Sequence, residues 1–251
     1  MSAYAALTRA SYRSHIRDKT TIFFIFAFPL LFLTVFGLIF HGQKVDQSGR
    51  QYIDYIAPGV LSWAVANAAV FGVAFVLMQW RRDDIFRLIR MTPTPLTAVF
   101  GSRYVIAVTI GLLQTMLFVS IALLPVFGLS MASSWPLVLP VLIIGITAFL
   151  MIGAIVGSYA KTPEAVAAAA NCMMVPMAFL SGSFFPLDAM PGWLQTLSWL
   201  FPLRYLNDGM SIALTGDGSL TGLVVDCAAL AAFAGVFGLI ALKTFRWSDR
   251  A

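Results

Sequence analysis

The chain is predicted to be an all-α integral membrane protein with six transmembrane helices, and three observations lead there. Hydrophobic residues make up 60% of its 251 positions and charged residues 11%, with a mean hydropathy of +0.87; a soluble domain does not carry that balance. Apolar runs of about 20 residues recur, the length a helix needs to cross roughly 30 Å of hydrocarbon. They lack the polar–apolar alternation of barrel strands. Finally, thirteen of the sixteen Lys and Arg residues fall in clusters that the alternating runs place on one side. Cytoplasmic connections collect Lys and Arg, so both termini are assigned to the cytoplasm.

Residues 3 to 18 read as an amino-terminal interfacial helix, with Arg9, Arg13 and Arg17 among Tyr4, Leu7, Tyr12 and Ile16. These charges, followed by an apolar run of full length, do not resemble a cleaved leader, so the first span is expected in the mature chain. That span covers about 21–40 and carries Pro29, and a polar outer loop with His41, Lys44, Asp46 and Arg50 follows. Span two covers about 55–80. The segment RRDDIFRLIRMTPTP from Arg81 mixes both signs of charge with Ile85, Phe86, Leu88 and Ile89. It reads as a cytoplasmic amphipathic helix of about ten residues closed by Pro93 and Pro95.

Span three covers about 96–124, with Arg103 near its inner end, where its guanidinium is expected to snorkel to the interface. Spans four and five cover about 137–159 and 165–181, with Lys161 and Glu164 at the turn between them. Residues 182–205 are apolar but broken by Pro186, Pro191, Gly192 and Pro202. No run there reaches span length, so the stretch is expected to form an extracellular re-entrant helical hairpin. A seventh span would put Lys243, Arg246 and Arg250 outside, against the charge rule. Span six covers about 220–242, and the whole chain, 1–251, is read as one transmembrane domain.

The chemistry of catalysis is not visible in the residues. There is no HExxH and no GxSxG, and His15 and His41 are expected on opposite sides of the membrane. Cys172 and Cys227 lie in spans without metal-ligand spacing and are expected to pack as small apolar groups. No GxxxxGK[ST] loop is present to cradle phosphates, so no cofactor is expected on this chain. The basic balance of +5 sits beside apolar spans rather than on a soluble face, which reads as orientation charge and lipid contact, not nucleic-acid binding. Asn67 and Asn171 are amides within spans that pack across helices or mark a polar path. Met173, Met174 and Met177 around Pro176 offer adaptable apolar surface or plain filling. Asp226 and Glu164 are the acids a stand-alone ion-coupled transporter would use, a second reading of the chain. An intramembrane enzyme assembled from distant polar residues is a third.

The six-span plan resembles the ABC type 2 (ABC-2) exporter permeases along essentially the whole chain. The most specific stretch holds Phe185-Pro186, Met190-Pro191-Gly192-Trp193 and Phe201-Pro202-Leu203-Arg204-Tyr205 before Asp208. These are similar to the family's FP, (L/M)PxW and NP-plus-acid features, with Phe201 standing where the family often has Asn. Compact length is most similar to the daunorubicin-resistance and nodulation-factor kind of drug or lipid exporter. The resemblance implies a permease subunit in the bacterial cytoplasmic membrane, paired with a second permease copy and with separate ATPase subunits that bring ATP and Mg. It implies a coupling helix from Arg82 to Arg90, with Arg82, Asp84, Phe86, Arg87 and Arg90 meeting the ATPase. It further implies a substrate path with Asn67, Asn171, Met174 and Met177, and an outer gate with Phe184, Phe185, Pro186, Trp193 and Phe201. The substrate implied is amphipathic or hydrophobic, since the path offers aromatic, Met and amide groups and little fixed charge.

Overall fold

A computed structural model of the chain describes residues 19–40, 42, 51–91 and 96–244. The expected amino-terminal helix over 3–18, most of the loop before Gln51, Pro93, Pro95 and the basic tail from Phe245 lie outside the described residues. Every regular element within them is helical: α1 Lys19–Ile39, α2 Tyr52–Arg82, α3 Ile85–Arg90, α4 Leu96–Ala122, α5 Val138–Tyr159, α6 Pro163–Leu180, α7 Gly192–Ser198, α8 Pro202–Thr215 and α9 Leu220–Thr244. Short 3-10 turns at Trp135–Leu137 and Leu187–Ala189 complete the set.

Among the described residues, five helical stretches are long and apolar enough to cross a membrane: Tyr52–Arg82, Gly101–Ala122, Trp135–Tyr159, Pro163–Leu180 and Leu220–Thr244. In α1 the apolar portion Ile25–Ile39 is shorter. Together with α1, these helices overlap the segments expected as spans to within about three residues at each end, and five of the six meet the length a crossing needs.

The bundle is organised around α2, which packs against α1, α4, α5, α6 and α8. Its heaviest partner is α5, and the reason lies in two glycines one turn apart on α5. A Cβ on Gly153 would overlap the carbonyl oxygen of Val70, and one on Gly157 would lie 2.7 Å from that of Ala74. Without side chains there, the two backbones close on each other, which is how helices associate where burial from water offers no drive. Around this seam Val60, Leu61, Val70, Leu142, Ile146 and Phe149 are fully buried. The opposite surfaces of α1, α4 and α9, with Phe28, Leu31, Met116, Val224, Val236 and Leu239, are exposed, as lipid-facing apolar residues are.

Polar side chains tie the connections down. Gln114 of α4 donates through Nε2 to the Ile25 carbonyl of α1 at 2.9 Å. Asp54, buried in the first turn of α2, accepts from the Ser130 backbone N–H at 2.8 Å and from its hydroxyl at 2.9 Å. It thereby pins the connection between α4 and α5. Asp54→Ala removes both bonds to Ser130, which is itself exposed and can turn to water, so a loss of about 0.5–1.5 kcal/mol is expected. Chemical unfolding of the purified chain in detergent checks this; a midpoint equal to that of the parent counts against the anchor.

Two expectations are corrected. The helix expected over ten residues after span two is only six residues long, Ile85–Arg90, because α2 itself runs on to Arg82. Asp83 and Asp84 form the break, and Asp84 takes a left-handed conformation at φ 52°, a state Asp tolerates better than most residues. The hairpin, expected to end at residue 205, instead continues as α8 to Thr215. Pro202 opens that helix, and Gly216 at φ 73° closes it. Its inward side, with Leu203, Leu206, Met210 and Ala213, is buried on α2 and α5.

Candidate functional site

Two regions at opposite ends of the bundle carry the residues singled out in the sequence. At one end, the carboxyl end of α2 meets α3 and the turn between α5 and α6. Phe86 is 1% exposed, packed edge-on against Trp80 at 5.9 Å between ring centroids. It therefore fastens α3 to its own bundle instead of reaching outward. Arg82 and Arg87 are exposed, Asp84 half-buried in the break, and Leu88 and Met91 are 62% and 72% exposed. The side chain of Arg90 lies outside the described residues. The outward face of α3 is thus Arg87 and Leu88, continued by Met91. Met91 was not singled out in the sequence because it sits beyond the last helical residue.

Arg81 is buried and donates through Nη2 to the Ala160 carbonyl, so the end of α2 is tied to the α5–α6 turn. Thr162 caps α6, accepting from the Ala165 N–H at 3.2 Å, with Pro163 and Glu164 in the first turn. Glu164 is exposed there, an ordinary acid at a helix start. Arg103 does not snorkel: it is 7% exposed, with its guanidinium 4.5 Å from the Trp80 ring centroid. The Trp80 ring competes with water for the cation, and the contact holds it inside the packing.

At the far end, the residues expected to form a gate separate into two groups. Phe184 is 5% exposed and centres an aromatic cluster, 5.3 Å from Trp63, 5.5 Å from Phe32 and 5.5 Å from Phe179. Phe185 and Trp193 are exposed, while Pro186 and Phe201 are half-buried. Backbone carbonyls of the turn 181–184 are held by side chains of α2 and α8. Tyr52 donates to Phe184 O at 3.2 Å, Tyr55 to Gly182 O, and Asn207 Nδ2 to Ser181 O at 2.8 Å and to the Ser183 hydroxyl at 2.8 Å. A Cβ on Gly59 would overlap the Ser183 carbonyl, so the turn lies directly on α2.

The path residues separate as well. Met174 and Met177 of α6 are buried in the bundle, whereas Asn171, Cys172, Met173, Val175 and Phe179 are exposed on it. Cys172, expected to pack, faces outward. Asn67 is half-buried on α2 and donates to the Trp63 carbonyl at 2.8 Å, a bond within its own helix.

Between the hairpin, α8 and the start of α9 lies a cavity of 1040 Å³. Arg204 forms part of its wall: its guanidinium stacks 3.6 Å from the Trp199 ring centroid, donates to the Gln195 carbonyl at 3.0 Å and to the Ser198 hydroxyl, and sits 3.6 Å from Asp208. Burial pushes the Asp208 carboxyl above its usual range, with Arg204 opposing the rise. Asp226, one of the two acids considered for ion coupling, is buried in the wall of the same cavity. Among the described residues no group of acids, His and Cys is arranged to hold a metal ion.

A bundle of membrane-length helices with a short amphipathic helix fastened to one end and a proline-broken hairpin folded over the other describes a polytopic transport subunit. Family comparison is consistent with that class: the description "ABC-2 type transporter" matches residues 2–215. The chain belongs to the ABC-2 type transporter family, and it is a multi-pass integral membrane protein. It is 25% identical over 210 residues to the inner membrane transport permease YadH of Escherichia coli (strain K12), covering 84% of this chain and 81% of the relative. It is 25% identical over 237 residues to the daunorubicin resistance ABC transporter permease protein DrrB1 of Streptomyces coeruleorubidus, covering 87% and 77%. A linearmycin resistance permease protein, LnrN of Bacillus subtilis (strain 168), is 24% identical over 181 residues, covering 70% and 46%.

Proposed function

We propose that this chain is the transmembrane subunit of an ATP-binding cassette exporter in the cytoplasmic membrane, carrying an amphipathic or hydrophobic substrate outward. A second permease copy completes the pathway, and separate ATPase subunits supply ATP and Mg. The observation that carries this reading is α3, a helix too short to be stable alone, anchored by Phe86 and presenting Arg87 and Leu88 outward. A rigidly mounted, exposed amphipathic knob is what a partner's groove can grip. The relatives DrrB1, a daunorubicin resistance permease, and LnrN, a linearmycin resistance permease, support export of a drug-like compound. Asn67, Asn171 and Met173 lie within reach of a path beside α2 and α6, with Met174 and Met177 backing it, and Phe185 and Trp193 stand at the mouth.

Affinity purification from native membranes tests the reading, with an ATP-binding cassette ATPase expected to come down with the chain. Transport by the reconstituted chain that persists without ATPase and collapses with the proton gradient overturns it in favour of ion coupling through Asp226.

The same reading has six spans, with α1 as the first, the α3 end in the cytoplasm and the hairpin outside. In a Cys172→Ala, Cys227→Ala background, a cysteine placed at Gln195 is expected to label from outside and one at Ser248 only after permeabilisation. Reversed labelling overturns that orientation.

A further inference from the structure

We infer that the groove between α2 and α4, at the α3 end of the bundle, binds an anionic phospholipid whose phosphate rests on Arg103. Ala68, Gly72 and Val73 of α2 face Arg103, Ile106 and Ile110 of α4 across this groove. Small residues open it on the α2 side, and nothing lies within 4 Å of a Cβ placed on Gly72. They would make only a shallow apolar cleft by themselves.

The independent observation is the state of Arg103. It is 7% exposed, and the face of its guanidinium is taken by the Trp80 ring. A cation–π contact of that kind leaves the N–H donors, which lie in the guanidinium plane, still needing acceptors. Nε is enclosed without one, the two Nη bond no described residue, and no carboxylate among the described residues pairs with the charge. The Nη groups, unlike Nε, are not enclosed, and Arg103 lines the groove. A cation held among apolar helices without a counter-ion is costly. Water would accept its hydrogen bonds and leave the charge unbalanced. A phosphate does both, because the guanidinium fork matches two of its oxygens.

Position selects the source of that phosphate. The membrane-length stretch of α4 begins at Gly101, so Arg103 lies in its first turn, at the depth where headgroups stand. From there the groove is apolar toward the middle of the bundle, past Ile106 and Gly72 to Ala68 and Ile110. Charge at the interface and apolarity inward match the head and tail of a lipid, and basic pockets between spans recognise such headgroups. The gap itself holds 20 Å³, about one water-sized group, which admits a single oxygen of a lipid phosphate lying alongside and not a whole free anion.

The site needs neither the ATPase nor transport, so its failure leaves the exporter reading untouched. Phosphatidylglycerol is titrated into the full chain in neutral detergent, and the first bound lipid is followed by native mass spectrometry. Saturable binding is expected, weakened about tenfold or more by Arg103→Gln. Gly72→Leu fills the groove while keeping the cation, and a similar weakening is expected; it carries the test should Arg103→Gln fail to fold. Excess diacylglycerol, which lacks the phosphate, and excess glycerol phosphate, which lacks the tail, are expected not to displace the lipid. Binding unchanged in either variant overturns the site. Displacement by diacylglycerol removes the phosphate from the recognition, and displacement by glycerol phosphate removes the lipid; either result refutes the inference.

Discussion

Gly153→Leu is expected to abolish recovery of folded protein. The hydrogen that Gly153 presents to α2 faces a backbone carbonyl, that of Val70, and not the end of a flexible side chain. A backbone cannot step aside without carrying its helix along, so α2 and α5 must separate along their seam. Overpacking in a close-packed interior costs about 1–3 kcal/mol where side chains can adjust, and the cost here is expected above that range. The net stability of an ordinary domain is only about 5–15 kcal/mol, so a cost above about 3 kcal/mol removes a large fraction of it. The readout is the monodisperse fraction of a fluorescently tagged chain in mild detergent. Gly72→Leu is the matched control, since nothing lies within 4 Å of a Cβ there. Equal yields from the two variants would show that the glycine seam is not what joins the helices.

The second large effect concerns α3. Arg87→Glu combined with Leu88→Glu reverses the charge and removes the apolar part of its exposed face while leaving Phe86 seated. Loss of a central interface contact costs about 2 kcal/mol or more, which is roughly thirtyfold in affinity. Co-purification of the ATPase is therefore expected to fall below detection, with membrane insertion and elution profile unchanged. Phe86→Ala should differ in kind. It empties a buried site beneath α3, so it lowers the thermal stability of the isolated chain as well as its association. ATPase recovery unaffected by the double substitution would remove α3 from the interface.

These two cases also mark how far the sequence could be read. The positions of the long apolar helices were legible because lipid imposes length and apolarity on each helix independently, so Leu137 to Tyr159 could be delimited without knowing its neighbours. Which span lies at the centre was not, since α2 and α4 are similarly apolar and only α2 is enclosed. Gly153 and Gly157 stand one turn apart in the sequence, but that spacing does not name the partner carbonyls. The division of Phe184 from Phe185 was equally invisible, for adjacent aromatics differ only in which way the turn points them. At α3, mixed charge identified the right segment. The Asp83–Asp84 break decided which of its residues face outward, and a backbone at φ 52° leaves little trace in composition. Helix α8 went unassigned although Pro202 and Gly216 bracket it, because its apolar side was absorbed into the hairpin.

The central helix touches both ends of the molecule. Gly59 rests on the hairpin turn, and Arg81 is tied to the α5–α6 turn beside Phe86 and α3. Pro58 lies outside this stretch, and from Gly59 to Arg82 the helix is unbroken, roughly 36 Å of rod. A strut of that length converts angle into travel: pivoting at one end by about 5° carries the other through roughly 3 Å. The hairpin is thus mounted at the tip of a stiff arm whose handle is the exposed helix. A tilt of that one piece would move the hairpin without any relay of side chains.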